Sequence, residues 1–427
     1  MSTRRTFLAA SAAGAATLLA GVHTSADDKA SNSAMEKIVV GVMGVNGRGY
    51  ALATGFSKQP NCEIGYVCDV DSRAIEKTMA GLEKSQPRKP TGVADFRKIL
   101  DDAAVDVLVV AAPDHWHAPA TILGCSAKKH VYVEKPCSHN PREGELAVEA
   151  ARKNKCVVTM GNQRRSWPAI VEGIEKVRSG AIGPVLFSRA WYNNRRGPIG
   201  SGKAAPIPSW LDWTLWQGPA PGREFHDNYL HYNWHWFWNW GTGEIGNNGV
   251  HALDLSRWGL DVTYPTRVTS SGGRYFHKDD QETPDTHTVC YEFGGKSIVW
   301  EGLSCQARGP EGNMFGATFH GPGGTLVIDD PGYKLYDEKN KLVSEKSGDA
   351  GDASHQADFL QCIRQGGSPH SEIEGAHQST LLCHLGNIAQ RTGRALNCDP
   401  KNGHIQNDAD AMKLWTREYA KGWEPKV

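Results

Sequence analysis

The residues whose types and spacing first suggest chemistry form a glycine-rich turn near the start of the chain. An apolar run, Ile38–Met43, precedes this turn, and a helical pattern follows it. The turn residues are Gly44, Asn46, Gly47, Arg48 and Gly49. A turn of this kind leaves backbone N–H groups free at the helix N-terminus, where the helix dipole favours an anion. We therefore predict that these residues bind the pyrophosphate of a dinucleotide. Asn46 replaces the usual middle glycine, and Asn tolerates left-handed backbone.

A second apolar run, Glu63–Cys68, ends at Asp69, twenty residues after Gly49. In a dinucleotide site, an acidic residue at this position bonds the adenosine ribose. A carboxylate there would repel a 2′-phosphate, so Asp69 favours NAD over NADP. The alternative is a glycine-rich turn in an α/β domain that binds no nucleotide. The order of strand, turn and helix, together with Asp69, favours the dinucleotide site.

The elements that would position these residues alternate between short apolar runs and helical stretches. Three more runs follow the first two, at Val105–Ala112, His130–Val133 and Cys156–Met160. This alternation predicts a doubly wound parallel sheet. Ligands of such sheets lie at the carboxyl ends of the strands. The residues expected to line a site there are Pro113, His115, His117, Glu134, Lys135, Gln163 and Arg164.

Three motifs together resemble a known family. They are the glycine turn, the triplet Glu134-Lys135-Pro136 and the segment 243–254, which contains His251. The chain resembles the glucose-fructose oxidoreductase, inositol dehydrogenase and rhizopine-catabolism family (Gfo/Idh/MocA) over nearly all of its length after the first residues. The resemblance implies a Rossmann domain at 36–162 and an α+β domain at 163–427. The second domain would hold a large, mainly antiparallel sheet that carries the substrate site and often an oligomer interface.

The resemblance also implies catalytic roles. Lys135 would lie beside the nicotinamide and a substrate hydroxyl, and His251 would act as general acid or base. Desolvation disfavours an ammonium, so a buried lysine can exchange protons near neutral pH, and imidazole titrates there by nature. The alternatives are a surface lysine before a proline and a histidine satisfied in the core.

One position departs from the family's dehydrogenase pattern. Asn247 stands four residues before His251, where inositol dehydrogenase-like members carry an aspartate. An amide cannot hold a negative charge, so a simple lysine–aspartate–histidine relay is in doubt, although Asn247 can still bond a sugar hydroxyl. Asp254 would share a helix face with His251, where it would orient the imidazole or merely cap it. The predicted substrate contacts are therefore Arg164, Tyr192, Asn247, His251 and Asp254.

The segment from Tyr192 to Trp240 is rich in aromatic residues. Aromatic faces can stack on the C–H faces of sugar rings, but they also dominate cores and interfaces. We expect most of these tryptophans to be structural and one or two to touch substrate. The polar candidates in the segment are Arg195, Arg196, His231 and His235.

The N-terminus predicts export. Arg4-Arg5 precedes an Ala-rich apolar segment, Ala9–Val22, that is too short to span a bilayer and is typical of a signal peptide. We expect cleavage after Ala26, a flexible leader at 27–35, and twin-arginine transport to the periplasm. The 47 basic and 47 acidic residues balance, which argues against nucleic acid or anionic membrane as main partner. The ten cysteines form no C-x-x-C pair and predict free thiols, with no metal site.

The second half of the chain shows strand patterns between Thr266 and Tyr336, with glycine turns that predict hairpins. Residues 339–352 read as a polar loop. Two or three helices are expected near the C-terminus, the first ending at Gly366 and the next running from about Gly375 to Thr392. His355, His377 and His384 are expected at the surface, at caps or at the edge of the substrate site.

Export narrows the functional hypotheses, because free NAD is scarce outside the cytoplasm. We rank first an oxidoreductase that acts on a sugar, glycoside or cyclitol with tightly held NAD and that works as a homo-oligomer; Asp69 makes NADP the less favoured cofactor. The second hypothesis is redox-neutral glycoside cleavage through a keto-sugar. The third, a non-catalytic sugar-binding protein, is disfavoured because Lys135 and His251 are both present.

Overall fold

The computed structural model describes residues 37–427, so the predicted signal peptide and leader lie outside the described residues. Six parallel strands form the first sheet in the order β3-β2-β1-β4-β5-β6. The strands are β1 (Ile38–Met43), β2 (Cys62–Cys68), β3 (Thr91–Val93), β4 (Val107–Val110), β5 (His130–Val133) and β6 (Val158–Met160). The helices between them are α1 (Arg48–Phe56), α2 (Ser72–Leu82), α3 (Arg97–Leu100), α4 (Asp114–Ser126) and α5 (Pro141–Asn154).

The predicted doubly wound sheet is confirmed, with one additional strand. The central strand β4 is buried along its whole length, as a near-continuous apolar run requires when helices cover both faces of a parallel sheet. The pattern missed β3 because Thr-Gly-Val contains no apolar run, and two of its three residues are exposed. The strand order reverses between β1 and β4, so the carboxyl ends of these strands border a crevice.

The second half of the chain forms a ten-stranded sheet in the order β14-β13-β12-β11-β7-β10-β9-β8-β15-β16. Its strands are β7 (Phe187–Asn193), β8 (Arg267–Gly273), β9 (Thr286–Glu292), β10 (Ser297–Leu303), β11 (Phe315–Gly321), β12 (Gly324–Ile328), β13 (Tyr333–Asp337), β14 (Leu342–Lys346), β15 (Leu396–Cys398) and β16 (Ile405–Gln406). The helices are α6 (Pro168–Arg178), α7 (Trp213–Gln217), α8 (Val250–Leu260), α9 (Ala353–Gln365), α10 (Ile373–Thr392) and α11 (Ala409–Met412).

This sheet is mainly antiparallel, as expected. β7 and β10 run parallel, whereas the predicted hairpins β9–β10 and β11–β12 are antiparallel. Gly294 and Gly295 join β9 to β10 with positive φ angles, which a glycine adopts without strain. Helices α8 and α10 pack on the sheet and carry much of the apolar core. Among residues 37–427, no helix combines the length and apolar character needed to cross a bilayer.

The structure contradicts one expectation for the second half and excludes one alternative of another. Residues 339–352 are not all loop, because β14 pairs with β13; its side chains are mostly exposed and polar, which hid the strand from the pattern. His355, His377 and His384 are buried rather than at the surface. His355 bonds the Met160 carbonyl through Nε2 at 2.9 Å, so it links α9 to the end of β6.

Candidate active site

One cleft of about 610 Å³ collects most of the predicted site residues. It lies at the carboxyl ends of β1, β2, β4 and β5, where the parallel sheet was expected to bind its ligand. The predicted contacts that line it are Gly44, Asn46, Gly47, Arg48, Asp69, Pro113, His117, Glu134, Lys135, Gln163, Asn247 and His251, and the polar candidates His231 and His235 line it as well. These residues come from both halves of the chain, so the cleft lies between the first sheet and the residues around the start of α8.

The glycine turn has the shape that a pyrophosphate requires. Gly44 has φ +83°, and a Cβ there would lie 2.5 Å from the Ala112 nitrogen. A Cβ on Gly49 would lie 1.9 Å from the Gly44 carbonyl oxygen, so the helix must approach the turn closely. Gly47 instead faces open space in the cleft, and no side chain caps α1. The exposed N-terminus of α1 therefore fits a dinucleotide phosphate.

Asp69 lies at the end of β2 and is held by the turn itself. Its Oδ2 accepts the Val45 N–H at 2.7 Å, and its Oδ1 accepts the Asp71 N–H at 2.9 Å. Burial raises the pKa of Asp69 to about 6, although these backbone donors favour the carboxylate. Each carboxylate oxygen retains a lone pair for a ribose hydroxyl.

Arg48 connects the turn to two carboxylates that are distant in sequence. Its Nε donates to Glu134 at 2.6 Å, and its two Nη atoms donate to Asp352 at 2.7 Å each. Glu134 is 4% exposed and also accepts the Lys135 backbone N–H at 3.2 Å. Arg48 therefore fixes the turn against the strand end that carries Lys135.

Lys135 points to the start of the second half of the chain. Its Nζ donates to the Asn247 carbonyl oxygen at 2.7 Å and to Asn247 Oδ1 at 3.1 Å. Asn247 belongs to a π-helical turn, Ile245–Gly249, a widened turn that often occurs at functional sites. Burial lowers the pKa of Lys135, and the neutral Asn247 amide adds no charge to oppose that shift.

His251 lies one turn later, at the start of α8, and faces the same cleft. It is 7% exposed, and its Nδ1 has no hydrogen-bond partner within residues 37–427. Burial, with the positive charges of Arg164 and Lys135, holds the pKa of His251 well below its ordinary value. A neutral imidazole that lines the cleft can accept a proton or bond a substrate hydroxyl.

His117 and Asp114, on the first turns of α4, support the cleft from the other side. His117 Nδ1 lies 2.5 Å from the Pro136 carbonyl oxygen, and its Nε2 lies 2.7 Å from the Ala112 carbonyl oxygen. Since carbonyl oxygens only accept, His117 makes both bonds at once when each ring nitrogen carries a proton. His117 thus joins the ends of β4 and β5 beside Lys135.

Besides Asp254, four of the predicted cofactor and substrate contacts do not line the cleft. Gly49 packs under the turn, and His115 is fully buried, with its Nε2 3.0 Å from the Trp216 carbonyl oxygen. Arg164 pairs with Asp330. Tyr192 lies within β7, between β11 and β10. These side chains have structural partners instead of a place in the cleft.

Asp254 is the clearest correction. It does not orient His251, because its carboxylate accepts two bonds from Arg165 at 2.8 Å and one from Ser379 at 2.6 Å. It is 2% exposed, and Arg165 and Ser379 lower its pKa against the effect of burial. Asp254 is three residues from His251 on α8, but its carboxylate is directed to Arg165 and to Ser379 of α10.

Three residues with a candidate functional role were not predicted individually from the sequence. Asp114 lines the cleft and accepts the Thr242 hydroxyl at 2.6 Å, and burial raises its pKa. The Tyr232 hydroxyl accepts from Asn247 Nδ2 at 3.3 Å. Glu244 is paired with Arg196. Asp114 directly follows a strand-end proline, so its position was a usable signal, whereas no local pattern indicates the other two.

The comparisons with known proteins agree with this arrangement. A profile for the NAD-binding Rossmann fold of an oxidoreductase family matches residues 38–162, and a profile for that family's C-terminal alpha/beta domain matches residues 191–425. The chain belongs to the Gfo/Idh/MocA oxidoreductase family. This membership confirms the resemblance and establishes NAD as the cofactor type of the Rossmann domain. No group of three or more potential ligands is arranged for a metal ion within residues 37–427.

The individual relatives of this protein are distant in sequence. Glycosyl hydrolase family 109 protein 1 of Shewanella sp. (strain ANA-3) is 27% identical over 163 residues, which are 37% of this chain and 35% of the relative. Levoglucosan dehydrogenase of Pseudarthrobacter phenanthrenivorans is 26% identical over 190 residues, 42% of each chain. The chain thus aligns with well under half the length of these relatives. Aldose-aldose oxidoreductase from Caulobacter crescentus, solved with glycerol, has the same fold: the TM-score is 0.65 at 18% identity, over 85% of this chain and 100% of that one.

Proposed function

We propose that the protein oxidises and reduces a hydroxyl-bearing carbon of a sugar, glycoside or cyclitol, using a tightly held NAD. The observation that carries the proposal is the continuity of the cleft. Its lining runs from Asp69 and the uncapped glycine turn to Lys135 and His251. One end therefore offers groups that suit the ribose and pyrophosphate, and the other offers two groups that can exchange protons.

The chain's own residues have separate roles in this scheme. When bound, NAD supplies the acceptor for the hydride of the carbinol carbon. Lys135 takes the hydroxyl proton, because burial favours its neutral form. Asn247 orients the Lys135 amine through two oxygen acceptors. His251 lines the same cleft with a neutral imidazole, so it can hold the same hydroxyl or a neighbouring one.

The choice of a polyhydroxylated substrate rests on the wall beside Lys135. Tyr232, Trp234 and His235 line the cleft there, and the Tyr232 hydroxyl is bonded to Asn247. Aromatic faces with nearby amide and hydroxyl groups suit a sugar ring, whose C–H face is apolar and whose edge is polar. The names of the relatives, a levoglucosan dehydrogenase and an aldose-aldose oxidoreductase, support the same class.

Redox-neutral glycoside cleavage is the second candidate. The observation that favours it is the similarity to a glycosyl hydrolase family 109 protein. The same two groups would serve there, because cleavage through a keto-sugar needs one group for the hydroxyl proton and one for an acidified C–H. Lys135 and His251 both face the cleft and are both available for these steps.

A single incubation separates the candidates. The protein is purified without added cofactor and mixed with simple sugars and with aryl glycosides, while the NADH absorbance is recorded and the products are analysed. Reduction of the copurified cofactor with a keto-sugar and no released aglycone supports oxidoreduction. Catalytic release of aglycone without net reduction supports cleavage instead, and no reaction with either class overturns both.

The Lys135→Ala variant tests the assigned proton acceptor. We expect turnover to fall by at least about 100-fold, the usual contribution of a general acid–base group. Lys153→Ala, at an exposed lysine of α5, is the matched control and should leave turnover unchanged. An active, folded Lys135→Ala protein would contradict the mechanism.

We also propose that the protein is exported and works as a homo-oligomer. The support for export is the Arg4-Arg5 pair before the Ala-rich segment. Replacing both arginines with lysine should retain the protein in the cytoplasm, which cell fractionation measures. Light scattering of the purified protein should give a dimer or tetramer mass, and a monomer mass would contradict the second proposal.

A further inference from the structure

A segment from the second half of the chain covers the cleft at the end marked by Asp69. We define residues 210–231 as the strap. Leu215, Trp216 and His231 of the strap line the cleft together with Phe96, which follows β3. Because Lys135 marks the nicotinamide end, the end beyond Asp69 is where the adenosine half of the dinucleotide must lie.

Backbone hydrogen bonds fasten the strap to the loop that follows Asp69. The Ser72 N–H donates to the Trp210 carbonyl oxygen at 3.0 Å, and the Asp212 N–H donates to the Val70 carbonyl oxygen at 3.0 Å. These two bonds flank an antiparallel bridge between Asp71 and Leu211. The strap is therefore paired directly with the loop that follows Asp69, the residue that would hold the ribose.

Asp71 anchors the strap a second time through its side chain. Its Oδ2 lies 2.8 Å from Arg73 Nη2 and 3.1 Å from His231 Nε2, and the Asp71 side chain is 2% exposed. The Arg73 guanidinium lies 3.4 Å from the centroid of the Trp210 ring. One buried carboxylate thus holds the far end of the strap through His231 and the near end through Arg73.

A third attachment comes from α4. The Trp216 carbonyl oxygen accepts from Trp116 Nε1 and lies within bonding distance of His115 Nε2, both at 3.0 Å. His115 was predicted to line the cofactor site or to have a packing role, and it is buried behind the cleft. Its contact with Trp216 gives it a positioning role, because it holds a strap residue against the cleft.

We infer that the strap supplies one wall of the adenosine subsite and that its three attachments slow the release of NAD. This inference rests on the proposed function, in which the cofactor stays bound between turnovers. An adenosine half that packs against the strap should leave more readily when the contacts to Asp71 open. Trp210 is therefore a positioning residue for cofactor retention, whereas His231 both anchors the strap and lines the cleft, at the opposite end from Lys135.

The test measures the dissociation rate constant of NADH directly. Each protein is loaded with NADH, an excess of NAD is added, and the loss of NADH fluorescence is followed by stopped flow. We expect Trp210→Ala and His231→Ala to raise the dissociation rate constant by about tenfold or more, since each removes one attachment of the strap. Tyr275→Ala, at an aromatic residue that is 71% exposed and does not line the cleft, is the control and should leave the rate unchanged.

The milder variant His231→Gln keeps a donor near Asp71, so it should release NADH more slowly than His231→Ala. Far-UV circular dichroism and the melting temperature show that each variant is folded. If NADH binds the wild type and all folded variants release it at the wild-type rate, the strap inference is overturned while the proposed function stands. If the wild type does not bind NADH, both are overturned.

Discussion

Asn247→Asp is the most informative single change, because it adds one charge beside Lys135. The Asn247 Oδ1 lies 3.1 Å from Lys135 Nζ, and the amide there is neutral. Burial lowers the pKa of Lys135 in the wild type. A carboxylate at the same place stabilises the ammonium form, so the variant should raise the pKa of Lys135.

The size of the effect follows from the distance. Two unit charges at this separation attract by about 5 kcal/mol at an effective dielectric constant of roughly 20, which is an upper limit because the new carboxylate also loses hydration. Opposite charges at contact distance shift a pKa by about 1–3 units. Each unit lowers the neutral fraction of a lysine about tenfold at any pH below its pKa. We therefore expect the proton-accepting form of Lys135 to fall about 10- to 1000-fold at a pH below the wild-type pKa of this lysine.

The assay reads Lys135 itself and needs no substrate. The protein is pulse-labelled with acetic anhydride across a range of pH, and the acetylated peptides are quantified by mass spectrometry, with the exposed Lys153 as internal reference. The labelling midpoint of Lys135 should move to higher pH in the variant, and the acid limb of the turnover profile should move with it. Asn402→Asp, at an exposed turn, is the control and should move neither. A Lys135 midpoint that stays in place or falls would refute the reasoning.

Three further predictions concern the scaffold. Gly49→Ala should abolish NAD binding in calorimetry because its Cβ would lie 1.9 Å from the Gly44 carbonyl oxygen. Gly47→Ala should fold normally because its Cβ would point into open space. Asp254→Asn should lower the free energy of unfolding by about 3–5 kcal/mol at pH 7, since it breaks a buried ion pair. The pKa of Asp254 is lowered by folding, so in urea titrations this difference should shrink as pH falls below about 4. All ten cysteines are free, so reductant should leave the melting temperature unchanged.

The retention of NAD connects the strap to the localisation proposed for this protein. A periplasmic dehydrogenase cannot draw on a large pool of free cofactor, so slow release would favour repeated turnovers on the same NAD. The attachments of the strap to Asp71 and to α4 provide a physical basis for slow release. The export and retention proposals can be tested separately, by fractionation and by dissociation kinetics.

The sequence by itself determined the first sheet and the ends of its strands. The glycine turn, Asp69 and the Glu134-Lys135-Pro136 triplet are local signals, because each depends on neighbours a few residues away and on a strand whose apolar run is visible in the sequence. A parallel sheet then brings the ends of its strands together by construction. That is why ten of the predicted residues, from the glycine turn and the strand ends, share one cleft, whereas Asn247 and His251 reach it from the second half of the chain.

Only the tertiary structure decided the partners of these residues. Asn247 bonds Lys135 across 112 positions, and Arg48 bonds Asp352 across 304. Helical spacing predicted that Asp254 shares a face with His251. In the folded protein the Asp254 carboxylate instead accepts hydrogen bonds from Arg165 and from Ser379 of α10. The sequence encodes residue types and local periodicity, whereas burial and the choice of hydrogen-bond partner depend on which distant elements pack together.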